Sequence, residues 1–135
     1  NLINQYSLDK NITLLGQLEN VNELLQFVDV NITTSSFGEG LPNVILESLS
    51  NGTPCISTNV GDAIEILKDI GWIANIKDYK KLSSNLEEAL FEKNYENYKW
   101  SKRKEICKKY IKNEFTLDIM IEKYQDLYDN YKIKI

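Results

Sequence analysis

Ser35-Ser36-Phe37-Gly38-Glu39-Gly40-Leu41-Pro42-Asn43-Val44-Ile45-Leu46-Glu47-Ser48-Leu49-Ser50-Asn51-Gly52-Thr53-Pro54-Cys55-Ile56 has the punctuation of one strand handing over to a helix and then to a second strand. Val30 to Thr33 ahead of it is a β-prone run that ends near Thr34. Gly38 and Gly40 open a loop, Pro42 suits the first position of a helix, and Gly52 stands just past that helix's end. Cys55 and Ile56 then lie in a segment rich in β-formers. Strand, helix and strand joined by connections this short imply parallel pairing with a right-handed crossover.

The pattern continues on both sides. Upstream, Ile12-Thr13-Leu14-Leu15 reads as a strand stopped by Gly16. Asn20 is placed to cap a helix, with Glu23 in capping-box position. Val21, Leu24, Leu25 and Val28 form that helix's apolar face. Downstream, Ala63 to Leu67 reads as a short helix, and Trp72-Ile73 marks a further strand. The second half is helical. Leu82, Leu86, Ala89 and Leu90 share one face, as do Leu117, Ile121, Tyr124, Tyr128 and Tyr131, with Trp100, Cys107, Tyr110 and Ile111 as a weaker stripe between them. These stripes are expected to pack as core over the sheet. The expected fold class is α/β: a Rossmann-like parallel sheet of about four strands flanked by helices, with a helical C-terminal half, as one domain over residues 1–135.

In an open parallel sheet, ligands bind beyond the carboxyl ends of the strands. The helix opening at Pro42 would present free backbone N–H groups and a positive dipole end there, which suits a phosphate or diphosphate. Gly38 and Gly40 remove side chains where a ligand could approach the backbone. Glu39 lies in the loop. Asn43 and Glu47, four residues apart, share one helix face. A carboxylate can accept from both hydroxyls of a vicinal diol such as ribose. Beside a diphosphate it would be repelled, so sugar hydroxyls are its better partners. The blander reading, a common glycine loop before an exposed helix glutamate, fits these residues too.

Composition narrows the field. The 135 residues suit one domain, no apolar run approaches a membrane span, and the polar N-terminus carries no signal-peptide pattern. The chain begins at Asn1, as a cut-out piece would. There is no histidine, and zinc-ligand spacing is absent. Cys55 and Cys107 read as buried free thiols of a reducing cytosol. A net charge of −4 argues against a nucleic-acid module. It hides an asymmetry, with a balance of −8 over residues 1–92 and +4 over residues 93–135. Lys99, Lys102, Arg103, Lys104, Lys108, Lys109 and Lys112 concentrate the basic excess. A solvated helix face is one reading of that run; contact with an anionic membrane surface or a phosphate-bearing partner is the other.

Ser36 to Glu47, with Glu39 and Glu47 at E-x(7)-E spacing, resembles the signature of family 4 of the retaining glycosyltransferases, which have the GT-B fold. Asn51-Gly52-Thr53-Pro54 and Ser57-Thr58-Asn59-Val60-Gly61 continue the likeness. The family often has Gly-Gly where this chain has Gly61-Asp62, and Asp in place of Asn59. Ile12 to Gly16 is similar to a family strand, and Phe115 to Tyr131 to its closing helix, so the likeness spans nearly the whole chain while only its middle is specific.

The resemblance implies a C-terminal donor-binding domain that transfers sugar from a nucleoside-diphosphate sugar with retention of configuration. It implies Glu39 as the catalytic carboxylate contacting the donor sugar and Glu47 as the ribose ligand. Gly38, Gly40, Leu41, Pro42, Asn43 and Val44 would be donor-binding, chiefly through backbone amides from Gly40 to Val44. Glu65 would be structural. No metal or other cofactor is implied, since no Asp-x-Asp motif appears. The sheet would follow the order 3-2-1-4-5-6, with residues 12–15 as strand 3 and strands 1 and 2 absent. Residues 12–15 would then pair with 30–33, or a second copy would cover that edge. The acceptor domain would also lie outside this chain, so the 135 residues alone are expected to transfer no sugar. Cytoplasmic placement, with peripheral contact at the membrane's inner face as an option, and a role in polysaccharide or glycoconjugate synthesis complete the expectation. An epimerase-type GT-B domain and a non-catalytic α/β interaction domain are the alternatives; binding of nucleoside diphosphates would exclude the latter.

Overall fold

The computed structural model describes residues 2–131. In chain order the elements are α1 (Leu2–Gln5), α2 (Val21–Leu25), β1 (Asn31–Thr33), α3 (Asn43–Ser50), β2 (Cys55–Thr58), α4 (Ala63–Leu67), β3 (Trp72–Ala74), α5 (Tyr79–Tyr95), α6 (Asn97–Glu114) and α7 (Leu117–Asn130). The sheet is parallel, in the order β1-β2-β3, with Ile32 opposite Ile56 and Ser57 opposite Ile73. All four residues of β2 are buried, as a central parallel strand covered on both faces requires.

Alternation along β2 sends its side chains to two cores. Cys55 joins Ile45 and Leu49 of α3, Ala63, Ile66 and Leu67 of α4, and Cys107 of α6. Ile56 joins Trp72, Ala89 of α5 and Trp100 of α6, with Val30, Leu82 and Leu86 packed alongside. Helices therefore cover both faces of the sheet, the arrangement expected of a Rossmann-like unit.

α3 is bounded as its sequence dictates. Pro42 is the N-cap and Asn51 the C-cap. Gly52 takes the left-handed conformation at φ +75°. Its N–H donates to the Leu49 carbonyl at 2.9 Å, and the Thr53 N–H to the Ser48 carbonyl at 2.9 Å, the double bond pattern of a Schellman stop. The Thr53 hydroxyl donates to the Leu25 carbonyl at 2.7 Å, which ties α2 to the turn before β2.

Four expectations are corrected. Residues 12–15 form no strand, and the sheet has three strands among the described residues. Leu14 and Leu15 are exposed at 76% and 55%. A strand exists only through a partner's ladder, and among the described residues neither the 12–15 segment nor the outer edge of β1 finds one, so the direct pairing of 12–15 with 30–33, one of the two expectations for that edge, is absent. The Asn20 side chain makes no cap bond, so the capping box is not formed; only Leu25 of the α2 face is buried. The α7 stripe is not core, because no residue of α7 is buried. Leu90 is likewise outside the core, at 39% exposure. An apolar stripe reports which side of a helix seeks cover, and nothing within residues 2–131 closes over α7. Leu117 and Tyr124 of the stripe instead border an apolar groove of about 790 Å³ between α7 and Leu41 and Leu46 of the α3 region.

Candidate functional site

The expected site residues gather at the carboxyl edge of the sheet. Residues 34–42 leave β1 at that edge and turn into α3. Gly38, with φ +82°, makes the turn before Glu39. Gly38, Glu39, Gly40, Leu41, Asn43, Val44 and Glu47 are all solvent-accessible, while Pro42 is buried and anchors the helix start. Ile45 and Leu49 face the core at zero exposure, while Val44 is 37% exposed. Leu41 also lines the α7 groove.

No side chain caps the N-terminus of α3. The Ile45 N–H bonds the Pro42 carbonyl at 2.9 Å. The Asn43 and Val44 amides ahead of it have no carbonyl one turn earlier to bond and are open to an anionic ligand. Glu47 sits one turn into the helix and lines a pocket of about 340 Å³ with Glu19, Asn20, Val21, Asn22 and Glu23. Glu39 has a partner of its own: Ser35 Oγ donates to its Oε1 at 2.8 Å.

The loop is braced from the next βα connection. The Thr58 hydroxyl, at the end of β2, donates to the Ser35 carbonyl at 2.6 Å. The Asp62 N–H donates to the Gly40 carbonyl at 3.0 Å. Gly61 has φ +56°, and a Cβ there would collide with the Gly40 carbonyl oxygen and come within 2.7 Å of the Glu39 carbonyl oxygen. Ser35 and the braces from Thr58 and Asp62 were not among the expected site residues. Gly61 carried the one visible signal, a glycine closing the motif-like run.

Other expected positions resolve simply. Glu65 is exposed beside Lys68, 3.8 Å away, with no tie to the site. Cys55 and Cys107 are buried free thiols. Among the described residues no group of His, Cys, Asp or Glu could hold a metal ion. Two members of the basic run are not free charges: Arg103 is bound to Glu92 through both Nε and Nη2, and Lys99 lies between Glu92 and Glu96.

A family described as glycosyl transferases group 1 matches residues 1–91. The chain belongs to this family. Among its relatives, N-acetyl-alpha-D-glucosaminyl L-malate synthase of Bacillus anthracis is 32% identical over 79 residues, covering 57% of this chain and 20% of that enzyme. The UDP-Gal:alpha-D-GlcNAc-diphosphoundecaprenol alpha-1,3-galactosyltransferase of Escherichia coli is 29% identical over 124 residues, covering 90% of this chain and 30% of that enzyme. A glycosyltransferase from Rickettsia africae ESF-5 superposes with a TM-score of 0.85 at 20% identity, over 99% of this chain and 35% of that one. Anabaena Alr3699/HepE, solved in complex with UDP, superposes with a TM-score of 0.83 at 16% identity, over 95% of this chain and 35% of that one. The fold is therefore the Rossmann-like α/β fold of GT-B glycosyltransferases, and the chain spans a fifth to about a third of these four proteins.

Proposed function

We propose that this group 1 glycosyl transferase chain holds the donor, a nucleoside-diphosphate sugar, for transfer of the sugar to an acceptor hydroxyl with retention of configuration. The observation that carries the reading is the uncapped first turn of α3 at the sheet's carboxyl edge, with Glu39 in the loop before it and Glu47 one turn inside it. The diphosphate would lie on the amides from Gly40 to Val44. Glu47 would accept from the ribose hydroxyls and Glu39 from the sugar. In the transfer, the bond from the sugar's anomeric carbon to the diphosphate breaks, and the diphosphate leaves with the electron pair. The acceptor oxygen bonds that carbon, and its proton passes to the oxygen of the departing diphosphate. Fixed N–H dipoles at a helix N-terminus stabilise the charge gathering on the leaving group. This makes no demand on a metal ion, so turnover of the full-length protein should survive chelation by EDTA.

Support also comes from HepE, a structural neighbour whose crystals hold UDP. The E. coli relative is named for a diphosphoundecaprenol acceptor, which makes a lipid-linked acceptor one class to try. The acceptor would be engaged largely by parts of the protein outside these residues.

Calorimetric titration with UDP, GDP and ADP tests the reading. Glu47→Ala should weaken binding of the preferred diphosphate by roughly 1.5–3 kcal/mol, the scale of charge-assisted hydrogen bonds, without unfolding the chain. The 2′,3′-dideoxy ligand should bind wild type and variant alike; an equal loss with it would show that Glu47 acts elsewhere. A wild-type protein that binds none of the three diphosphates would overturn the proposal in favour of an interaction domain.

A further inference from the structure

We infer that Ser35 and Thr58 are positioning residues for Glu39, a relay that presets the carboxylate before the sugar arrives. The inference rests on the donor reading above.

Glu39 stands in an exposed loop, where a glutamate side chain is free to spread over many rotamers and loses that freedom on engaging a ligand. Here it is restrained. Ser35 Oγ donates to Oε1 at 2.8 Å, and Oε2 keeps no protein partner among the described residues. Such a surface bond would ordinarily yield to water. Both of its ends, however, are tethered from beneath. The Thr58 side chain is 2% exposed, and its hydroxyl holds the Ser35 carbonyl at 2.6 Å. Thr58 itself sits in register with Ala74 of β3, so the tether runs into the sheet. On the other side, the Asp62 N–H holds the Gly40 carbonyl at 3.0 Å, and Gly61 lies against the carbonyls of Glu39 and Gly40. The backbone at both ends of the Ser35–Glu39 bond is thus pinned by the end of β2 and the β2–α4 connection.

The consequence is directional. Ser35 spends its single donor on Oε1, which fixes the carboxylate and leaves Oε2 as the acceptor for a sugar hydroxyl. Preorganised acceptors cost no reordering when the ligand is engaged, so the relay should act on sugar-dependent steps and not on the nucleotide.

The test uses the full-length protein with UDP-, GDP- and ADP-linked hexoses, and the bare diphosphates, as probes. Turnover and calorimetric affinity are measured for wild type, Ser35→Ala, Thr58→Val, Thr58→Ser, Glu39→Ala and the Ser35→Ala/Glu39→Ala double variant. Ser35→Ala and Thr58→Val should lower turnover by about 3- to 10-fold, the effect of one lost hydrogen bond, with bare diphosphate affinity unchanged. Thr58→Ser, which keeps the hydroxyl, should restore it. In the Glu39→Ala background, Ser35→Ala should have no further effect. If Ser35→Ala is silent, adds its full effect to Glu39→Ala, or weakens bare diphosphate binding equally, the relay is overturned and the donor reading stands. If Glu39→Ala itself leaves turnover intact, the donor reading of Glu39 is overturned and the relay with it.

Discussion

The Arg103 guanidinium grips the Glu92 carboxylate with two parallel bonds, Nε to Oε1 at 2.7 Å and Nη2 to Oε2 at 2.8 Å. Its third nitrogen donates to the Ile70 carbonyl at 3.2 Å, and its Cζ lies over the Trp72 ring, 4.3 Å from the ring centre. One side chain from α6 thereby joins α5, the turn before β3 and the strand itself. The Glu92 side chain is 1% exposed, so the charge is tolerable only because it is paired.

Removing one partner should therefore be costly. Glu92→Gln leaves the guanidinium without its counter-charge and should destabilise the fold by about 3–5 kcal/mol. Arg103 holds the Glu92 carboxyl below its ordinary value of 4.5, chiefly through the hydrogen bonds and against the burial that opposes them. A depressed folded-state value gives stability that is present above the unfolded value and lost as pH falls through the folded one. Denaturant unfolding between neutral pH and pH 3 should show the gap between wild type and Glu92→Gln narrowing below about pH 4.5. A gap that stays constant would show that the pair contributes through shape alone.

The two thiols should be inert in the native state. Burial pushes Cys55 up to about 12 and Cys107 up to about 11, so the reactive thiolate is scarce at neutral pH. Iodoacetamide at pH 7.5 should label neither cysteine until denaturant is added. Rapid labelling of Cys107 in the folded protein would mean that α6 opens locally.

Much of the fold was legible where the signal is local. Pro42 and Gly52 act on their own backbone, so the bounds of α3 could be read from them, and Ala63 to Leu67 needed only its own apolar spacing. Glu39, Gly40, Asn43 and Glu47 could be brought to one edge because strand, loop and helix follow one another directly. What depended on distant partners was not legible. Residues 12–15 have a strand's composition, but a strand is made by its neighbour. The α7 stripe has the period of a core helix, yet periodicity cannot say that anything covers it. Arg103 sat inside a run of lysines, and only the approach of Glu92 from α5 separates it from them. The Thr58 bond to Ser35 spans 23 residues between two ordinary hydroxyl residues, with nothing in either to announce it.

The basic face of α6 is smaller than its sequence suggests, since Arg103 and Lys99 are engaged. Lys102, Lys108, Lys109 and Lys112 remain exposed, and Lys102, Lys109 and Lys112 share one side of the helix with Tyr98, itself 82% exposed. Among the described residues no helix is long and apolar enough to cross a membrane. Three lysines near an anionic leaflet contribute about 1 kcal/mol each, within a Debye length. If this face meets lipid, the full-length protein should cosediment with phosphatidylglycerol vesicles at low salt and release at roughly 0.5 M salt. Reversing Lys102, Lys109 and Lys112 to Glu should abolish the binding. Binding that ignores both salt and reversal would place the contact elsewhere, and no binding at low salt would leave these lysines as a solvated face.

Gly61 should be the least replaceable small residue of the candidate site. Its φ of +56° disfavours any residue with a Cβ, and the space a Cβ would take is filled by the backbone carbonyls of Gly40 and Glu39. Backbone cannot swing aside as a long side chain can, so Gly61→Ala must displace the loop itself. The displacement would strain the Asp62 N–H bond to the Gly40 carbonyl and shift the amides that open α3. Gly38 is a contrast: its φ is also positive, at +82°, but nothing lies within 4 Å of a Cβ placed there. Gly38→Ala should therefore cost only the backbone preference, about 1 kcal/mol in stability. Gly61→Ala should cost that and also weaken nucleoside-diphosphate affinity by about tenfold, which corresponds to about 1.4 kcal/mol. Thermal melts and calorimetry on the two variants make the comparison. Equal losses of affinity in both would mean that the left-handed turn alone matters, and that the close approach of Gly61 to the loop has no part in holding the ligand.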